Sequence, residues 1–159
     1  GGDIEAGLSL AELVSGMKKP TVSMVIGGGH SIGVPLAVAA KKTFIAKTAS
    51  MMVHPVRTTG TVLGTSQAFE YLKRMQKRIT RFVEDNSEIS AERFQKLVMN
   101  TCELDMDIGT VLEGKEAVEE GIIDRVGNLS DALACLYDMI DGEKCEKNHK
   151  NKSKKSNKK

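Results

Sequence analysis

The stretch from residue 21 to residue 40 constrains this chain more than any other. Residues 21–26 (Thr-Val-Ser-Met-Val-Ile) form a β-branched apolar run without alternation, as expected of a strand buried on both faces. Gly27-Gly28-Gly29 ends that run, and from Ile32 to Ala40 small apolar residues predict a buried helix that starts at or near Ser31. A strand turning through glycines into a buried helix is a unit of an α/β fold. The rest of the chain agrees. Apolar spacing behind Asp3 as N-cap predicts a helix over 4–17, which Pro20 breaks. Short strands follow at 43–46 and 51–53. A long helix is expected over 66–84, with Ala68, Leu72, Met75, Ile79 and Phe82 on one stripe and Glu70, Lys73, Arg74, Lys77 and Arg81 away from it. Further helices are expected over 91–100 and 131–140, and a helical turn at 116–120, stopped by Gly121, before a strand at 122–126. No internal repeat is visible.

The turn carries a chemical pattern. Gly29-His30-Ser31-Ile32-Gly33 fits G-x-S-x-G between an expected strand and an expected helix. A nucleophilic Ser on a sharp strand-to-helix turn needs small neighbours, because the backbone folds tightly and substrate approaches closely. The helix start beside it offers unpaired N–H groups to a developing oxyanion. The same five residues also suit a plain tight turn, so the motif needs partners. Nucleotide-loop readings fail: G-x-G-x-x-G meets Ile32 at its last glycine, and a P-loop meets Val34 where Lys is required. Of the three histidines, His149 lies in a Lys-rich tail and His30 abuts Ser31. His54 ends the apolar strand Met51-Met52-Val53 ahead of Pro55, where a rigid element can hold an imidazole over a loop. An α/β-hydrolase runs Ser, acid, His and would have to recruit His149, so the order Ser31 then His54 points elsewhere.

Length and composition set the bounds. A chain of 159 residues with 40% hydrophobic content can bury a real core. Only 4% is aromatic, with no Trp, which predicts an aliphatic, Met-rich interior. No apolar run is long enough to cross a membrane. The chain opens on Gly1-Gly2-Asp3 with neither a Met nor a leader pattern, and an upstream piece supplying further strands is expected. Cys102, Cys135 and Cys145 show no C-x-x-C spacing, so neither a disulfide framework nor a zinc knuckle is expected. Cys102 and Cys135 read as apolar fillers, Cys145 as an exposed tail residue, and the compartment as a reducing cytoplasm. The net charge of +2 divides into +6 over residues 143–159 and −4 over residues 1–142. A mildly acidic body argues against specific nucleic-acid binding, and the tail reads as a disordered appendage. The expected organisation is therefore one domain over 1–140 and a tail over 141–159.

Four segments in order make the chain resemble the Clp protease family of serine peptidases. They are Gly1-Gly2-Asp3-Ile4-Glu5-Ala6-Gly7, the run from Gly27 to Pro35, Met52-Val53-His54-Pro55, and the run from Glu116 to Asp124. The resemblance covers residues 1–127. It implies a fold of repeated β-β-α units with a protruding handle helix, shared with crotonases. It implies Ser31 as nucleophile, His54 as base, and the backbone N–H groups of Gly2 and Ile32 as the oxyanion hole, Ile32 standing where the family has Met. It further implies a polypeptide substrate, ring-forming homo-oligomers, and no cofactor or metal. A gapless match places Gly109 at the triad acid. Asp107 takes that role if the loop carries an insertion, with Asp105 second and a Ser–His dyad as the remaining possibility. Residues 66–84 take the place of the handle, so their stripe packs either on another subunit or on the chain's own core. Arg57, close behind His54, is either a substrate or interface contact or a solvated cation. Two rival readings stand: a non-catalytic scaffold of the same fold, and a crotonase-like acyl-CoA enzyme, which needs no Ser–His pair.

Overall fold

A computed structural model of the chain describes residues 2–58, 64–101 and 108–142. The expected α/β class is what it shows. Helix α1 (Ile4–Ser15) is capped by Asp3, whose carboxylate accepts from the Ala6 N–H at 2.7 Å. Strands β1 (Val22–Val25) and β2 (Gly28–His30) follow, then α2 (Gly33–Val38), β3 (Lys42–Ile45) and β4 (Ser50–Val53). The long helix α3 (Ser66–Asp85) and α4 (Ala91–Val98) precede β5 (Thr110–Glu113), α5 (Gly114–Glu119), β6 (Arg125–Val126) and α6 (Leu129–Ile140).

β1 and β2 go to different sheets, as do β3 and β4, whereas β4 and β5 share one. One sheet is β1-β3-β6, parallel throughout; the other is β2-β4-β5, with β2 parallel and β5 antiparallel to β4. Each strand–strand–helix unit thus places one strand in each sheet. The glycine run does not simply end a strand: Gly28–His30 is itself a strand, in register with Ser50–Met52. A Cβ at Gly29 would come within 3.2 Å of Val25 Cγ1, so a side chain there would press on its neighbour. β5 was not expected. The strand expected at 122–126 shrinks to Arg125–Val126, since the Ile122 and Ile123 N–H groups donate to the Ala117 carbonyl in a buried turn.

The main core joins Leu8 and Ala11 of α1, Val34 and Val38 of α2, Ile45, Met51 and Val53 of the strands, and Phe82, Phe94 and Val98 of α3 and α4. A smaller cluster of Phe44, Ala132 and Cys135 packs α6 on the other face of the β1 sheet. The interior is mainly aliphatic as expected, with Met51 and Met75 buried beside Phe44, Phe82 and Phe94, while Met17 and Met99 are exposed. The C-terminal part of the α3 stripe lies on the chain's own core: Met75 and Phe82 are buried and Ile79 packs against it, while Ala68 and Leu72 are partly exposed. Cys135 fills a core position as expected, but it is disulfide-bonded, which corrects the expectation of no disulfide. Linear spacing carries no information on which thiols meet in space. Cys102 and Cys145, and the tail over 143–159 with His149, lie outside the described residues. No helix among the described residues is long and apolar enough to cross a membrane.

Candidate active site

Ser31 directly follows β2, and His54 directly follows the neighbouring parallel strand β4. The His30↔Met52 register and the bond from the Ser31 N–H to the Met52 carbonyl at 2.9 Å carry the ladder to the serine itself. Two adjacent parallel strands therefore deliver Ser31 and His54 to the same sheet edge, the carboxyl end where ligands bind in open α/β sheets.

The backbone at Ser31 is unusual. Its φ is +59°, the only positive φ on a non-glycine among the described residues. The left-handed region costs an L-residue about 1–2 kcal/mol, so the turn is held by its surroundings. The Val34 N–H donating to the Ser31 carbonyl at 3.0 Å closes the turn into α2. The hydroxyl is thereby presented at a strand–helix elbow, half-buried.

His54 is also half-buried, and its Nδ1 lies 2.8 Å from the Pro55 carbonyl oxygen. A carbonyl only accepts, so Nδ1 carries the proton and the lone pair of the neutral ring sits on Nε2. That is the tautomer a general base requires. Ser31 and His54 line one cavity of about 80 Å³ together with Gly2, Ile4, Gln76 and Phe94. No hydrogen bond joins the two side chains among the described residues; in unliganded sites such contacts commonly close only with substrate in place.

The expected oxyanion residues lie beside the serine. Gly2 lines the same cavity, and a Cβ on it would contact Ile32 Cγ2 at 3.8 Å. Ile32 is buried and also packs on Gly7, where a Cβ would come within 2.2 Å of its Cγ1. Among the described residues neither the Gly2 nor the Ile32 N–H donates a hydrogen bond.

Gly109, the gapless match to the triad acid, lies beside His54. β5 continues the Val53↔Thr110 pairing toward it, and its N–H donates to the Asn100 carbonyl at 2.7 Å. Its φ is +144°, and a Cβ would come within 2.4 Å of the Val53 carbonyl oxygen and 2.9 Å of His54 Cβ. The position has the right neighbour but no room for a carboxylate. Asp107 and Asp105 lie outside the described residues. Arg57 lines the cavity too, and its Nη2 donates to the Ile108 carbonyl at 3.2 Å. His30 lies over Gly28, where a Cβ would meet its Nε2 at 2.3 Å, turned away from the core-facing Gly29. Gln76 was not legible as a site residue. It sits beside the apolar stripe of α3 and reaches the cavity only because α3 packs over the loop after His54.

The molecule is thus an α/β protein with a serine elbow and a histidine at one sheet edge. The Clp protease family model matches residues 1–130, and the chain belongs to that family. It is 53% identical over 141 residues to the translocation-enhancing protein TepA of Halalkalibacterium halodurans, covering 89% of this chain and 55% of that protein. It is 28% identical over 134 residues to the ATP-dependent Clp protease proteolytic subunit of Lactococcus lactis subsp. lactis, covering 79% of this chain and 62% of that one. The corresponding subunit of Streptococcus uberis is 27% identical, with 79% and 63% covered. The chain therefore spans a little over half the length of these curated relatives.

Proposed function

We propose that the chain carries the catalytic centre of a serine peptidase. Ser31 Oγ attacks the peptide carbonyl, and His54 Nε2 takes its proton and later gives it to the leaving amine. Water then hydrolyses the acyl-enzyme by the same route. The N–H groups of Gly2 and Ile32 hold the oxyanion, each worth on the order of a hundredfold in rate. The observation that carries the reading is the Ser31 elbow at φ +59°, with His54 at the end of the adjacent strand and both side chains on one cavity.

For the third member we assign Asp107. It stands two residues before Gly109, whose backbone lies against His54, whereas Gly109 itself has no side chain and no space for one. A dyad oriented by the Pro55 carbonyl is the second reading, favoured by the 2.8 Å contact at Nδ1. The substrate is a polypeptide, and the working form is a homo-oligomeric ring, both by membership of the family. A link to protein translocation rests on the name of TepA. A crotonase-like activity has no use for the Ser31–His54 pair, and a scaffold has no use for a strained serine.

The test is labelling of the full-length protein and its Ser31→Ala and His54→Ala variants with a fluorophosphonate probe, read by mass spectrometry. An adduct on Ser31 that both substitutions abolish supports the peptidase. A folded, assembled protein that never labels favours the scaffold. Asp107→Asn lowers labelling strongly under the triad assignment and leaves it unchanged under the dyad.

A further inference from the structure

Two polar side chains of α3 reach the two arms of the site, and the mechanism above uses neither. Ser31 is fixed by the sheet ladder, but His54 and Gly2 stand on chain that has left the regular elements. Gln76 Oε1 accepts from the Val56 N–H at 2.9 Å, two residues beyond His54. The Gln76 Nε2 donates to Thr80 Oγ1 at 3.4 Å, and that hydroxyl donates on to Gln95 of α4 at 3.4 Å, so the amide is oriented from behind. Half a turn further along α3, Arg78 forks onto Glu5 at 2.6 and 3.0 Å. Glu5 lies in the first turn of α1, three residues after Gly2, and Asp3 ties the intervening chain to the helix through its cap on Ala6. The bond from Arg78 holds the Glu5 carboxyl below its usual range.

We propose that Gln76 and Arg78 are positioning residues that grip the base arm through Val56 and the oxyanion arm through Glu5, so that one rigid helix sets the spacing of His54 and Gly2 across Ser31. The inference rests on the serine-peptidase reading. Its distinguishing consequence is a split between stability and rate. Glu5 and Arg78 are about half exposed, and such a pair adds little to folding. A misplacement of 1 Å at a reacting group nevertheless costs on the order of a hundredfold in rate.

The experiment measures saturating fluorophosphonate labelling of Ser31 in the full-length protein, giving a maximal rate and a half-saturating concentration, beside a thermal melt. Gln76→Met and Arg78→Met are expected to lower the maximal rate about tenfold with the half-saturating concentration nearly unchanged; the melting temperature holds for Arg78→Met and falls by a few degrees for Gln76→Met, which leaves the part-buried Val56 N–H without its acceptor. Gln76→Glu, which keeps the acceptor, is expected to retain most of the rate. Pairing Glu5→Arg with Arg78→Glu is expected to restore what Arg78→Met loses, while Arg81→Met on the outer face of the same helix changes nothing. Methionine variants within twofold of the parent overturn the proposal. So does a loss that tracks melting temperature and is not rescued by the charge swap. A folded parent that does not label at all overturns the peptidase reading instead, and this one with it.

Discussion

Replacing Gly109 by alanine tests whether the edge strand β5 holds His54 in place. The new Cβ would stand 2.4 Å from the Val53 carbonyl oxygen and 2.9 Å from His54 Cβ. Opening 2.4 Å to the 3.0 Å that real Cβ contacts respect moves β4 and β5 apart by about 0.6 Å, because the neighbours it meets are backbone and a Cβ with no freedom to swing away. The backbone at φ +144° adds about 1–3 kcal/mol of strain for a residue with a side chain, and overpacking adds a similar amount. A loss of about 3 kcal/mol is expected, which lowers the melting temperature by about 10 °C in a chain of this size. Since the displacement falls on His54, fluorophosphonate labelling measured well below the melt should slow about tenfold or more. Gly109→Asp should fare no better, despite supplying an acid at the aligned position. A melting temperature within about 2 °C of the parent and an unchanged labelling rate would refute the argument.

Two other predictions concern strain and charge. Ser31→Gly and Ser31→Ala should both be inactive, yet the glycine variant should be the more stable by about 0.5–1 kcal/mol in urea, since glycine accepts φ +59° at little cost; an alanine variant of equal or greater stability would contradict a strained elbow. The Glu120 carboxyl is held below its ordinary value of 4.5 by its hydrogen bond from Arg93, so the stabilisation is present above that value and lost as pH falls through the depressed one. The melting temperature should drop below about pH 4.5, and Arg93→Met should make that drop shallower. An identical acid limb in parent and variant would show the pair to be energetically silent.

The legible parts of this protein are those governed by local chemistry. The apolar run at 21–26, the stripe of α3 and the Asp3 cap each act within a few residues, and each element appears close to its expected bounds. Of the strands misjudged, β2 is glycine-rich with no strand propensity of its own, and β5 and β6 pair remotely. β5 has only four residues, and its partner β4 lies more than fifty positions away. Ile122 and Ile123 are buried like strand residues, yet their N–H groups go to Ala117. Burial alone does not separate a strand from a buried turn.

The same division holds at the site. A serine among glycines and a histidine ending an apolar run, in that order along the chain, are legible without any coordinates. That order sufficed to set aside the α/β-hydrolase arrangement. The pairing of β2 with β4, which brings Ser31 and His54 to one cavity, comes from the fold. So do the place of Gly109 against His54, without space for a carboxylate, and the reach of α3, which hands Gln76 to one arm and Arg78 to the other. These contacts join residues twenty to seventy-three positions apart. Their geometry comes from how the helices pack on the sheets, and no local pattern in the sequence encodes a distance between two loops.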